Sequence, residues 1–72
     1  MHNYFDFIGC NIQQARSDAG MTQEQLVREL DISTSVISRL ETGRTMFSVA
    51  RLMEIAEVLG VFAGDLLRAP DI

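Results

Sequence analysis

Three residues, Asp31-Ile32-Ser33, separate two apolar stripes of helical spacing, and this short interval is the tightest constraint in the chain. Ahead of it, Leu26, Val27 and Leu30 form the buried stripe of one helix. Behind it, Ile37 and Leu40 bury the inner face of another, which Gly43 ends. The first helix opens on Thr22-Gln23-Glu24-Gln25, which has the form of a capping box: the Thr22 hydroxyl accepts from a backbone N–H and Gln25 reaches back. Ser33 is a good N-cap for the second helix. Two helices must therefore be packed on each other across a tight turn.

The rest of the chain shows the same punctuation. Ile8, Ile12, Ala15 and Ala19 share one helix face, and Gly20 supplies a left-handed C-terminal cap. Ser48 can cap a fourth helix with Val49, Leu52, Met53, Ala56 and Leu59 on one side, closed by Gly60. Leu66 and Leu67 belong to a short last helix stopped near Pro70. No segment alternates with period two for long enough to be a strand. The expectation is an all-α fold of five short helices in a single domain, residues 1–72, with a helix-turn-helix over residues 22–43.

At 72 residues the chain is near the lower limit for a self-sufficient core. Its 47% hydrophobic and 22% charged residues read as globular. No apolar run approaches the ~18 residues of a membrane span, and no signal peptide is visible, so a cytoplasmic location is expected. Enzyme chemistry is not visible. Cys10 is the lone cysteine, His2 has no carboxylate or Cys neighbour, and there is neither a phosphate loop nor a metal set. No cofactor and no small-molecule substrate are expected.

Charge argues two ways. Six Arg and no Lys face ten acids, a net charge of −4, whereas a nucleic-acid binder gains affinity from cations that release counterions. The distribution matters more than the sum. After Asp31, the stretch to Arg51 holds three Arg and one acid, Glu41. In a helix, Thr34, Ser35, Ser38, Arg39 and Thr42 share one polar face with no acid on it. Arg39 can donate bidentately to guanine O6 and N7, and Thr34 and Ser35 can donate or accept. That face is either a reader of base edges or an ordinary solvated surface, with Arg39 paired to Glu24 or Glu29.

The ordered set Met21-Thr22-Gln23-Glu24-Gln25-Leu26, Ile32-Ser33, Ile37-Ser38-Arg39-Leu40-Glu41-Thr42-Gly43, Leu52, Ile55-Ala56 and Leu59-Gly60-Val61 resembles the lambdoid repressor, Cro and XRE family of DNA-binding domains. With Ile8-Gly9, Ile12 and Arg16, the resemblance covers about residues 8–67. It implies a lambda-repressor-like five-helix domain that binds double-stranded DNA. It places Thr34, Ser35, Ser38 and Arg39 at bases, and Gln23, Thr42, the Gly43 backbone and Arg44 at phosphates. Glu41 and Arg16 match a structural ion pair between the first and third helices.

Four departures stand out. Val27 replaces the usual Ala at the helix crossing, and Asp31 replaces a turn Gly at a position that needs positive φ. Met46-Phe47 replace a polar-Pro pair, leaving Phe47 a candidate exposed aromatic. Asn11, Gln13 and Gln14 replace the basic residues of the first helix, so phosphate contacts there must be neutral and salt dependence modest.

A single unit reads half a site, so a homodimer on half-sites ~34 Å apart is expected. Phe62, Leu66 and Leu67 are the candidate dimer interface, with Tyr4-Phe5-x-Phe7-Ile8 as the rival surface and internal packing as the other use of Leu66 and Leu67. The functional expectation is a sequence-specific transcriptional regulator, most simply a repressor or autoregulator. The alternative is a protein-interaction module of the same fold, such as an antitoxin or antirepressor, which the acidic total favours.

Overall fold

Three helices of this protein start where a hydroxyl closes the first turn. The Thr22 Oγ1 accepts from the Gln25 N–H (3.1 Å), while the Thr22 N–H donates to Gln25 Oε1 (2.8 Å), so the capping box is complete. The Ser33 Oγ accepts from the Val36 N–H (3.3 Å) and the Ser48 Oγ from the Arg51 N–H (3.1 Å). Each such cap contributes on the order of 1 kcal/mol. The computed structural model describes residues 4–44 and 48–68, with side chains from Phe7 onward. Five helices follow: α1 Tyr4–Asp18, α2 Gln23–Leu30, α3 Thr34–Glu41, α4 Val49–Leu59 and α5 Ala63–Leu66. Among the described residues there are no strands. The fold is all-α, as expected. His2, Phe47 and Pro70, and the side chains of Tyr4 and Phe5, lie outside what is described.

The core is built by Ile8 and Ile12 of α1, Leu26, Val27 and Leu30 of α2, Ile37 and Leu40 of α3, Leu52, Ile55, Ala56 and Leu59 of α4, and Leu66 of α5. Each large aliphatic side chain taken out of water contributes roughly 1.5–3 kcal/mol. Val27 is accommodated within this core.

Two sequence expectations need correction here. Val49 and Met53 are exposed rather than part of the α4 stripe. The buried line is Leu52-Ile55-Ala56-Leu59, and Met53 stands one residue, about 100°, round the helix from Leu52. Leu66, placed at a dimer surface, is 1% exposed and belongs to the core. A four-residue helix with no side-chain N-cap bond has little stability of its own. Its apolar anchor must face inward, and Leu66 is that anchor.

The α2–α3 turn adopts the geometry expected of it. Asp31 has φ 56° and ψ 45°, and its N–H donates to the Val27 carbonyl as the α2 C-cap. It is the one non-glycine residue with positive φ among the described residues. This left-handed step sends the chain sharply into the Ser33 cap, so that α3 leaves α2 on a new axis.

Gly9 decides how closely α1 meets the end of α3. A Cβ at Gly9 would stand 2.5 Å from the Glu41 carbonyl oxygen and 2.6 Å from that of Leu40. Both are backbone atoms and cannot swing aside. Gly9→Ala is therefore expected to destabilise the domain by about 1–3 kcal/mol, despite the better helix propensity of Ala. Thermal melting followed by circular dichroism checks this; a melting point equal to or above the parent's would contradict it.

Candidate nucleic-acid interface

The outer face of α3 is polar because its inner face must hold Ile37 and Leu40 in the core. Thr34, Ser35, Ser38 and Arg39 are all exposed. With Gln23 at the first position of α2 they line one open groove of about 710 Å³. The helix-turn-helix geometry thus gathers residues that are up to sixteen positions apart. Val36 is half-buried and packs on the core.

Arg39 faces solvent without a carboxylate. Its Nε makes only a long, 3.4 Å bond to the Ser35 carbonyl of its own helix. Among the described residues it pairs with neither Glu24 nor Glu29; the ion pairs there are Arg16–Glu41 and Arg51–Glu54. The one acid between residues 32 and 51, Glu41, points away from this face. Its side chain is 3% exposed and lies against Arg16. The surface that α3 presents is therefore free of negative side-chain charge.

Glu41 joins three helices. Arg16 Nε donates to Glu41 Oε2 (2.8 Å) and Nη2 to Oε1 (3.3 Å), while Nη1 donates to the Met21 carbonyl (2.8 Å). Gln23 Nε2 donates to Glu41 Oε1 (2.9 Å). The pair expected from α1 and α3 is thus joined by a third member from α2. The capping box uses the N–H groups of Thr22 and Gln25, and those of Gln23 and Glu24 remain open at the start of α2. Exposed helix N-terminal amides suit an anion.

Beyond α3, the residues that the resemblance places at phosphates make bonds within the chain. The Thr42 hydroxyl donates to the Ser38 carbonyl of its own helix (2.8 Å). The Gly43 N–H donates to Leu40 and the Arg44 N–H to Arg39, closing the helix C-terminus. The exposed Arg44 guanidinium is the cationic donor of this stretch. Asn11 also bonds within the chain. Its Nδ2 donates to the Leu66 carbonyl (2.9 Å) and the Arg68 carbonyl (2.8 Å), fastening the end of α5 to α1 rather than facing outward. Its place three residues after Ile8 put it beside the apolar stripe, and that was the available signal.

With Leu66 inside, the exposed apolar surface near α5 consists of Phe62 (82% exposed) and Leu67 (44%), beside half-buried Val58, Val61 and Ala63. On the rival surface, Ile8 is buried and Phe7 packs on the core. Cys10 is exposed on α1. Among the described residues, no helix is long and apolar enough to cross a membrane.

Comparison with known proteins agrees with this geometry. The helix-turn-helix family model matches residues 12–61. An uncharacterised HTH-type transcriptional regulator, y4dJ, of Sinorhizobium fredii is 34% identical over 64 residues, covering 89% of this chain and 83% of that protein. The HTH-type transcriptional regulator RamB of Mycobacterium tuberculosis is 35% identical over 57 residues, which cover 79% of this chain but 12% of RamB. Among solved structures, the clp gene regulator ClgR from C. glutamicum superposes with a TM-score of 0.88 at 27% identity, covering 92% of this chain and 85% of the other. A match over most of the chain, from within α1 through the buried stripe of α4, means that this protein belongs to the XRE-type helix-turn-helix family of transcriptional regulators.

Proposed function

We propose that this chain is a sequence-specific regulator of transcription that binds a two-fold symmetric operator in double-stranded DNA as a homodimer. Its simplest action is occupancy of a promoter, as a repressor or as an autoregulator of its own gene. The observation that carries this reading is the face of α3: Thr34, Ser35, Ser38 and Arg39, exposed together, with no exposed acid among them and Arg39 unpaired by any carboxylate among the described residues. In the major groove Arg39 reads guanine, and the three hydroxyls read neighbouring edges or a thymine methyl. Gln23, the start of α2 and Arg44 hold the backbone. Phe62 and Leu67 supply the dimer contact. A protein that acts this way works in the cytoplasm.

An antitoxin or antirepressor, acting through protein contacts, is supported by the net charge of −4 and by the exposed Val49, Met53, Phe62 and Leu67. An abandoned DNA surface would have no reason to exclude Asp and Glu, so the acid-free α3 face favours DNA.

Selection from a random DNA pool, followed by a salt titration, separates the two. A palindromic site is expected, bound with a shallow slope of about −2 to −4 in log K against log salt, because few cations reach phosphate. No enrichment of any sequence at low salt would remove the DNA-binding reading.

A further inference from the structure

We propose that Glu41 is a positioning residue for DNA binding: it holds the Gln23 side chain in the orientation that meets a phosphate. This rests on the DNA-binding reading above. An ion pair between α1 and α3 is complete without Gln23. Arg16 already approaches both Glu41 oxygens and takes a further bond at the Met21 carbonyl. Yet Gln23 Nε2 also donates to Glu41 Oε1 at 2.9 Å. A carboxylate has about four acceptor sites, so it can take this third donor without loss to the other two.

The bond uses one of the two amide hydrogens of Gln23. Among the described residues the second hydrogen and the amide oxygen have no partner, and the side chain stands at the rim of the groove lined by Thr34, Ser35, Ser38 and Arg39. Gln is a long side chain that otherwise samples many rotamers, and holding it still before binding removes an entropic cost from the complex. The anchor is rigid in its own right. Glu41 is buried on α3, and Arg16 ties it to α1 and to the turn before α2. The spacing between the two motif helices is thereby coupled to the position of one phosphate donor. Gln23 would make the contact; Glu41 would act through it.

Two double variants isolate this role. Arg16→Met/Glu41→Met replaces the ion pair with apolar bulk and leaves Gln23 without an acceptor. Arg16→Met/Glu41→Gln also lacks the ion pair but restores an amide oxygen at position 41. The second is expected to bind the selected operator more tightly than the first by about tenfold per protomer, about a hundredfold for the dimer, the scale of one hydrogen bond to a charged group in each half-site. Adding Gln23→Ala should cost the second variant that same factor and the first nothing. Equal affinity of the two double variants, or an equal loss from Gln23→Ala in both, would overturn the proposal.

A measurement on the unaltered, DNA-free chain does not depend on whether the variants fold. Nitrogen-15 relaxation of the side-chain amides should find Gln23 as ordered as Asn11, with exposed Gln13 mobile. A Gln23 amide as mobile as that of Gln13 would also overturn it. If the parent chain selects no DNA at all, the underlying reading fails and the proposal with it; if the parent binds and the variants do not differ, the proposal alone fails.

Discussion

Replacing Arg16 with alanine is expected to be the most damaging single substitution for folding. It would leave the Glu41 carboxylate, 3% exposed, with Gln23 as its one remaining side-chain donor. Breaking one side of a buried ion pair costs about 3–5 kcal/mol, because the other charge is stranded. A chain of 72 residues has roughly 4–11 kcal/mol of stability in total. At about 4–8 °C per kcal/mol, the melting point should drop by tens of degrees. Arg51→Ala is the internal contrast. Its pair with Glu54, 3.2 Å apart within α4, has side chains 34% and 53% exposed, and exposed i,i+3 pairs are worth about 0.2–0.5 kcal/mol. Melting of the two variants side by side checks the claim. If Arg16→Ala melts as high as Arg51→Ala, the burial of the Arg16–Glu41 pair has been misjudged. Arg16→Met/Glu41→Met should recover most of the loss, since apolar bulk strands no charge.

Arg39→Ala should do the reverse, sparing the fold and removing operator recognition. The side chain is exposed and bonded only at 3.4 Å to its own helix, so the melting point should change little. At a guanine, a bidentate arginine contributes about 1–3 kcal/mol of discrimination. A dimer carries two, giving roughly 2–6 kcal/mol, or about 30-fold to 10⁴-fold in affinity. The loss should be confined to the cognate site and should relax selection at one base pair in each half-site. Arg44→Ala should weaken all sequences alike and reduce the salt slope by about one per protomer. Repeating the DNA selection with each variant distinguishes the roles. An Arg39→Ala protein that returns the parent's site with the parent's affinity would show that Arg39 reads no base.

Much of this architecture was legible because it is local. A capping box needs four consecutive residues, and an apolar stripe needs eight. Thr22 to Gln25, Ser33 and Ser48 all cap as their chemistry dictates, and Asp31 takes the left-handed step that the turn requires. The polar face of α3 follows from its period alone. Residues whose role depends on a distant partner were less legible. Asn11 read as a neutral phosphate donor, but its amide donates to the Leu66 carbonyl of α5 and to the Arg68 carbonyl beyond it. The bond from the Thr42 hydroxyl to the Ser38 carbonyl was not read from the sequence either. Val49 and Met53 satisfied the spacing of a buried stripe, yet no neighbouring helix covers them.

The α5 region shows the division most clearly. Phe62, Leu66 and Leu67 are equally apolar by sequence, and nothing in a short segment says which of them faces the core. Folding assigns Leu66 to the interior and leaves Phe62 and Leu67 outside: α5 turns Ala63 and Leu66, three residues apart, toward the core, and Asn11 fastens the chain at Leu66 and Arg68. By itself, the sequence determined the helices, their caps and the acid-free face of α3, all products of short-range periodicity and capping chemistry. The Arg16–Glu41 pair was foreseen only through the family resemblance, and the tertiary structure alone decided that Gln23 would join it on the same carboxylate. Arg16 and Gln23 lie 25 and 18 positions from Glu41, and only the packing of α1 and α2 against α3 brings their donors within bonding distance.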